Sequence, residues 1–216
     1  MAHVIEERTP KMSERSEFRT RRLRRNELPV DTVELARYLI GKTVVRETKR
    51  GRVAGRIVET EAYLMGDKAA HFYRGRTKRN GSLYLDRGHA YVYFCYGTHF
   101  MLNVSGERAG VGGGVLIRAL EPVEGIEWMR RRRGTRKLQD LARGPGRLAE
   151  ALGITRGQDG VDLTAAGSEL WLGTATRATG EIGESVRIGI TKDAQRVLRF
   201  YERGNEFVSG PKGMRE

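Results

Sequence analysis

This chain of 216 residues has one cysteine, Cys95, and few aromatic residues, which make up 7% of it. A single cysteine excludes an intrachain disulfide and a zinc site built from several cysteines. No apolar run approaches the roughly 20 residues needed to span a bilayer, and the start lacks the apolar segment of a secretory signal. We therefore expect a cytoplasmic protein in a reducing compartment, with no membrane partner.

Histidine is also scarce, which bears on metal binding. The four histidines are His3, His71, His89 and His99, and none is paired with acidic residues at the spacing of a metal site. We therefore expect no metal and no other cofactor.

Basic residues, in contrast, are abundant. The chain has 40 Lys and Arg against 27 Asp and Glu, a formal net charge of +13. Because neutralising phosphates releases condensed counterions, such an excess favours a nucleic-acid partner. Charge alone leaves open a ribosome-associated protein, a protein that binds anionic membranes, and a generally basic proteome.

One folded domain behind a basic arm is the simplest division of the chain. Residues 1–26 are polar, rich in arginine and without apolar periodicity, which predicts a disordered arm. Residues 27–216 show no composition break and are long enough for one substantial core. Helix and strand patterns mix without regular βαβ alternation, which favours an α+β fold with a mainly antiparallel sheet.

Local patterns place the individual elements. Asp31, followed by apolar residues at helical spacing, predicts the start of a first helix. Two hairpins are predicted, one from residues 43–47 and 52–63 and one from residues 90–96 and 99–104. The other predicted elements are a long functional loop over 64–90, a strand over 114–120, helices over 123–132 and 145–152, and short strands over 169–172, 186–190 and 199–202.

Glu61 is the candidate catalytic residue. Glu59, Glu61 and Tyr63 fall on one face of the predicted second strand, because side chains two apart in a strand point the same way. Hydrolysis of a glycosidic bond needs a carboxylate that takes a proton from water while an oxocarbenium-like sugar forms. An exposed, solvated strand face is the commoner explanation of a Glu-x-Glu pair, and the strand pattern leaves both explanations open.

Aromatic residues close to Glu61 suit a flipped nucleobase. A base taken out of a duplex needs flat aromatic walls in place of its lost stacking, and a polar group to read its edge. Tyr63, His71 and Tyr93 are the candidate walls, although each taken singly is more often a core or surface residue.

Three further residues could complete such a site. Tyr96 directly precedes the turn of the second predicted hairpin, where a ring could fill a gap in a base stack. A tyrosine that merely stabilises the hairpin fits this position equally well. Asn103 and Arg118 are hydrogen-bond donors on the strands that follow and could line the same cavity.

The sequence resembles the alkyladenine (3-methyladenine) DNA glycosylase family from about residue 35 to residue 208. The stretches that carry the resemblance are residues 59–63, His71, residues 91–97, Asn103, residues 116–122 and residues 144–148. The resemblance implies a curved antiparallel sheet with flanking helices and a protruding β-hairpin that intercalates into DNA.

The resemblance also implies roles for the candidate residues. Glu61 matches the general base that activates water, and Tyr63, His71 and Tyr93 match residues that sandwich and contact the flipped base. The remaining matches are Tyr96 with the intercalating tyrosine, Asn103 with an asparagine that crowds the amino group of normal guanine, and Arg118 with an arginine near the base and its backbone.

The resemblance implies a monofunctional, monomeric DNA glycosylase that acts on duplex DNA containing damaged purines. Its substrates would be 3-methyladenine, 7-methylguanine, hypoxanthine and ethenoadenine, of which hypoxanthine is neutral and needs a proton that the sequence does not clearly provide. Two alternatives stay open. One is a bifunctional glycosylase that also cleaves the strand through a lysine Schiff base, and the other is a non-catalytic protein that binds nucleic acid.

Overall fold

A computed structural model gives the structure of the protein and describes residues 19–95, 97–211 and 213. Within them lie a single antiparallel sheet and three α-helices. The strands are β1 (Thr43–Thr48), β2 (Gly51–Tyr63), β3 (Ala90–Cys95), β4 (His99–Ser105), β5 (Gly114–Glu124), β6 (Leu170–Gly173), β7 (Ile182–Val186) and β8 (Val197–Glu202). The helices are α1 (Thr32–Leu39), α2 (Ile126–Arg133) and α3 (Pro145–Leu152). The predicted α+β class with an antiparallel sheet is confirmed.

Strand β2 is the centre of the sheet. It pairs with β5 along one edge, and along the other edge with β1 over its first half and with β8 near its end. The pairing with β5 shifts register on both sides of Glu59. Irregularities of this kind bend and twist a strand. The sheet therefore curls at the end of β2 that carries Glu59, Glu61 and Tyr63.

Helix α1 packs on the sheet as its sequence predicts. The Asp31 carboxylate accepts hydrogen bonds from the N–H groups of Val33 and Glu34 at 2.8 and 2.9 Å, which satisfies two free donors at the start of the helix. Leu35 and Leu39 are fully buried on the inner face. Burial of each such side chain stabilises the fold by roughly 1.5–3 kcal/mol.

No helix in the described part of the chain is long and apolar enough to cross a membrane.

The hairpin of β3 and β4 forms one flank of the sheet. Its register places Tyr91 opposite Asn103 and Tyr93 opposite Met101. Because cross-strand partners share a face, these side chains lie on the same side of the hairpin. Tyr96, the predicted intercalating residue, directly follows β3 and lies outside the described residues.

Several predicted elements have wrong boundaries, and for two of them the structure shows the physical reason. The helix predicted over 123–132 begins only at Ile126, because β5 continues to Glu124 and Gly125 has a φ of +70° that breaks the strand. The strand predicted over 186–190 is a loop from residue 187 onward. There the Arg187 side chain turns inward to an ion pair with the buried Asp67.

Residues 19–26 of the predicted arm contact the sheet. Leu23 is buried, and Arg22 forms a bridge with Gly173 at the end of β6. These residues are therefore ordered against the domain, since an apolar side chain and a backbone bridge hold them there. The first 18 residues of the arm lie outside the described residues, and their disorder stays a prediction.

Candidate active site

A cavity of about 530 Å³ opens at the end of β2. Sites for small molecules and cofactors usually have volumes of roughly 300–1,000 Å³. Strands supply one part of its wall through Tyr63, Tyr91, Tyr93, Asn103, Leu116 and Arg118. Loops supply the other part through Lys68, Ala69, His71, Ile188, Ile190 and Lys192. The fold thus brings five of the predicted site residues, Tyr63, His71, Tyr93, Asn103 and Arg118, to one cavity.

Three rings form an aromatic wall, which consists of His71, Tyr91 and Tyr93. The two tyrosine rings stack with centroids 5.5 Å apart and an interplanar angle of 27°. The His71 ring meets Tyr93 edge-on at 4.4 Å, and its Nδ1 lies 2.9 Å from the Tyr91 hydroxyl. Tyr91 was not among the predicted site residues. The signal that could have identified Tyr91 is its position two residues before Tyr93 on the same strand, which places both side chains on one face.

The aromatic wall is uncharged at neutral pH. Burial, together with the charge of Arg79, lowers the pKa of His71 below its ordinary value. Burial raises the pKa of Tyr91 to about 12 and also raises the pKa of Tyr93. The wall therefore offers neutral, electron-rich rings, which attract a cationic ligand placed over them.

Glu61 lies directly behind the cavity and is fully buried. Its Oε1 accepts a hydrogen bond from the Ile188 N–H at 2.8 Å and lies 3.1 Å from Arg118 Nη1. Its Oε2 accepts a hydrogen bond from the Tyr63 hydroxyl at 2.9 Å. All three partners line the cavity, whereas Glu61 itself does not reach the cavity surface. The carboxylate is therefore held one contact away from a bound ligand.

Glu59 shares the buried face of β2 but has more cationic surroundings. Its Oε1 accepts hydrogen bonds from Arg118 Nε at 2.9 Å and Arg199 Nε at 2.7 Å. Its Oε2 accepts one from the Ser209 N–H at 2.7 Å. Both carboxylates are fully buried, so the explanation of Glu-x-Glu as an exposed strand face is wrong.

The two carboxylates differ in acidity. Burial acts to raise the pKa of Glu59, but the guanidinium groups of Arg118 and Arg199 outweigh it and lower that pKa. Burial also acts to raise the pKa of Glu61, and there it prevails over the charge of Arg118. Only Glu61 thus combines contact with the cavity wall and an increased tendency to take a proton.

Asn103 and Arg118 link the cavity to the interior. Asn103 Nδ2 donates a hydrogen bond to the Tyr91 carbonyl oxygen at 3.3 Å, which fixes the amide beside the aromatic wall. Arg118 contacts both carboxylates and donates to Ser209 Oγ at 3.3 Å, so most of its hydrogen-bonding capacity is used inside the protein.

The loop after β7 is the part of the site that the sequence pattern missed. Residues 188–192 line the cavity. The alternation of apolar residues there is typical of a strand, and no local signal shows that the chain turns. Gly189 has a φ of +77°, a conformation in which strand pairing cannot continue.

The mouth of the cavity carries positive charge. Lys68 and Lys192 line it, and the Arg79 guanidinium lies 6.0 Å from the centroid of the Tyr93 ring. Because of these positive charges, the mouth suits a ligand with anionic groups outside the cavity.

Over residues 19–95, 97–211 and 213, no group of three or more His, Cys, Asp or Glu side chains lies close enough to hold a metal ion.

Comparison with known proteins places the chain in a family. The sequence model for methylpurine-DNA glycosylase (MPG) matches residues 26–206. A protein of Mesorhizobium japonicum is 64% identical over 192 residues, which cover 89% of this chain and 92% of the relative. A protein of Paraburkholderia phytofirmans is 50% identical over 190 residues, 88% of this chain and 89% of the relative. A protein of Methanoculleus marisnigri is 46% identical over 181 residues, 83% of this chain and 94% of the relative.

All three relatives have the words "3-methyladenine DNA glycosylase" in their names. The family match covers most of the chain, and each relative is aligned over most of its own length. The chain therefore belongs to the methylpurine-DNA glycosylase family of DNA-repair hydrolases.

Proposed function

We propose that this DNA glycosylase flips alkylated or deaminated purines out of duplex DNA and hydrolyses their N-glycosidic bond with an activated water. The proposed substrates are 3-methyladenine, 7-methylguanine, hypoxanthine and ethenoadenine. The observation that carries the proposal is the buried Glu61 carboxylate in contact with three residues that line an aromatic-walled cavity. Monomeric action in the cytoplasm stays a prediction.

Base binding is assigned to the walls of the cavity. Tyr63, His71 and Tyr93 would take the place of the neighbouring bases, and a purine methylated on a ring nitrogen would gain attraction because it is cationic. Asn103, whose amide is fixed on Tyr91, would crowd the amino group of a normal guanine. Lys68 and Lys192 stand at the mouth, where the phosphates of a flipped nucleotide would pass.

Glu61 is assigned the role of general base. A water that enters beside Arg118 and reaches the carboxylate, which its three partners otherwise shield from the cavity, would give a proton to Glu61 while its oxygen bonds to the anomeric carbon of the sugar. The bond from that carbon to the base breaks, and the base leaves with the electron pair, which neutralises its positive charge. The products are a free base and an abasic site. The raised pKa of Glu61 suits this role, because a general base works best when its pKa approaches the operating pH.

The neutral state of His71 bears on the substrate range. A neutral base such as hypoxanthine leaves slowly unless a group of the enzyme protonates it. Because the pKa of His71 is lowered, this imidazole is a poor proton donor at neutral pH. We therefore expect 3-methyladenine and 7-methylguanine, which are cationic, to be released faster than hypoxanthine.

Tyr96 is proposed to intercalate in the gap that the flipped nucleotide leaves. It directly precedes the turn between β3 and β4, at the end of a hairpin that carries part of the aromatic wall. Replacing its ring in Tyr96→Ala should lower the fraction of flipped base and the rate of base release together. Unchanged binding and turnover would show that the assignment is wrong.

The test is to incubate the enzyme with four duplexes, each carrying one of the proposed lesions, and to resolve the freed bases by chromatography. We expect free 3-methyladenine and 7-methylguanine and an intact strand with an abasic site. Borohydride in a parallel reaction tests the bifunctional alternative, because a Schiff base would be trapped as a covalent adduct of protein and DNA. Binding to lesion DNA without release of any base would overturn the proposal in favour of a non-catalytic binder.

A further inference from the structure

A buried ion pair adjoins Glu61 without a part in the proposed chemistry. The side chains of Arg187 and Asp67 form it, and neither has any exposed surface. Arg187 contacts Asp67 through both terminal nitrogens, with Nη2 at 3.1 Å from Oδ1, and its Nη1 also donates to the Ala62 carbonyl oxygen at 3.1 Å. The pair thus joins the turn that follows β2 to the loop that follows β7.

The arginine of this ion pair lies next to two partners of Glu61. The Arg187 guanidinium carbon lies 4.6 Å from the centroid of the Tyr63 ring, and the Tyr63 hydroxyl donates to Glu61. The next residue, Ile188, donates its backbone N–H to Glu61 at 2.8 Å. Two of the three groups that hold the Glu61 carboxylate are therefore in contact with Arg187 or covalently next to it.

The loop that carries Ile188 has no strand ladder to fix its path. Gly189 has a φ of +77°, and Asp193 has a φ of +47°. The Asp193 side chain accepts a hydrogen bond from the Lys68 N–H at 2.8 Å, which ties the loop a second time to the turn after β2. The position of the Ile188 N–H therefore depends on side-chain contacts with that turn.

Burial of an ion pair is weak evidence for a role in stability. Desolvating two charges costs about as much as their attraction returns, so well-packed apolar residues would often stabilise the fold equally. An ion pair in which two guanidinium nitrogens contact one carboxylate does fix the distance and the relative orientation of the two side chains, which apolar contacts do not.

We infer that Arg187 and Asp67 are a positioning pair, which holds the Ile188 N–H and the Tyr63 ring on Glu61 and keeps the loop after β7 as a wall of the cavity. The inference rests on the proposed role of Glu61 as general base. It assigns to both residues an effect on the rate of base release, although neither touches the substrate.

Asp67→Asn and Arg187→Lys test the positioning pair, with Glu202→Gln as the matched control. Glu202 forms another buried ion pair, with Arg56 Nη2 at 2.7 Å from its Oε1, and it does not line the cavity. Binding to a 7-methylguanine duplex, single-turnover base release and its pH dependence are measured for each variant. This lesion is already cationic, so the acid limb of the profile reports the general base.

For both positioning variants we expect the rate of base release to fall by about 10- to 100-fold, since small misplacements of catalytic groups have effects of this size. Binding should change less than the rate. The acid limb should move to higher pH, because losing the Ile188 N–H removes a hydrogen bond that favours the charged form of Glu61. Glu202→Gln should be less stable but keep the rate and the acid limb of the wild type.

A folded Asp67→Asn variant with the rate and acid limb of the wild type would overturn the inference, and so would an equal change in Glu202→Gln. If neither positioning variant folds, hydrogen exchange of the Ile188 amide in the wild type tests the inference instead. We expect this amide to be protected from exchange, and exchange as fast as that of an exposed loop amide would overturn the inference. A wild type that releases no base refutes the proposed function, while the amide measurement still tests the positioning pair.

Discussion

Glu59 and Glu61 occupy the same buried face of β2, yet their surroundings prepare them for different tasks. Glu59 contacts two guanidinium groups and Ser209, and its pKa is lowered. Within the described residues Glu61 contacts one guanidinium group, that of Arg118, and its pKa is raised. Because both side chains are fully buried, burial alone does not distinguish them. The number of nearby cations separates a carboxylate that holds the fold from one that can accept a proton.

Among the variants of these residues, Glu61→Gln should have the largest effect, which is on the rate of base release. Removing a general base lowers the rate of the chemical step by about 100- to 10,000-fold. Binding to lesion DNA should survive, because the amide keeps the shape of the side chain. Single-turnover release of 7-methylguanine and a binding titration check the two statements. Base release close to that of the wild type would remove Glu61 from the mechanism.

Glu59→Gln should act on stability instead. It leaves Arg199 and Arg118 buried beside a neutral group, and breaking a buried ion pair in this way destabilises a fold by roughly 3–5 kcal/mol. Urea unfolding at pH 7 measures the change. A loss below about 1 kcal/mol would mean that the two carboxylates are less different than their contacts indicate.

The pH dependence of stability should differ in sign between the two residues. A lowered pKa makes Glu59 stabilise the fold above its ordinary value of 4.5, and this stability is lost as the pH falls through the lower folded value. A raised pKa makes protonated Glu61 the favoured form, so its contribution is present below 4.5 and is lost as the pH rises through the folded value.

Unfolding curves of both Gln variants between pH 3 and 8 check these signs. Relative to the wild type, Glu61→Gln should gain stability as the pH rises above 4.5, whereas Glu59→Gln should lose stability as the pH rises toward 4.5 from below and should change little above it. Parallel curves for the two variants would contradict the assigned directions.

Tyr63→Phe should have the smallest effect. It removes one hydrogen bond that favours the charged form of Glu61 but keeps the aromatic ring at the cavity. The acid limb of base release should move to higher pH by about half to one unit. An acid limb identical to that of the wild type would show that this hydrogen bond does not influence the general base.

Local sequence patterns predicted the part of the site that lies on strands. The period of two predicted that Glu61 and Tyr63 share a face, and the Tyr63 hydroxyl does contact Glu61. The hairpin of β3 and β4 and helix α3 were also placed correctly, because turn glycines and an initial proline are strong local signals.

Contacts between distant segments could not be predicted in this way. Ile188 meets Glu61 across more than a hundred residues, and Arg199 and Ser209 meet Glu59 over a comparable separation. The alternating apolar pattern of residues 186–190 is compatible both with a paired strand and with a loop that lines the cavity. The ion pair of Arg187 with Asp67, which forms where the strand ends, has no local sequence signature.

The most direct test of Glu61 as general base is the rate of single-turnover 7-methylguanine release from duplex DNA as a function of pH. We predict an acid limb in which the rate falls as Glu61 takes a proton, with a midpoint above the ordinary carboxyl value of 4.5. A rate that stays constant as the pH falls to 4.5 would contradict a buried carboxylate with a raised pKa as the base.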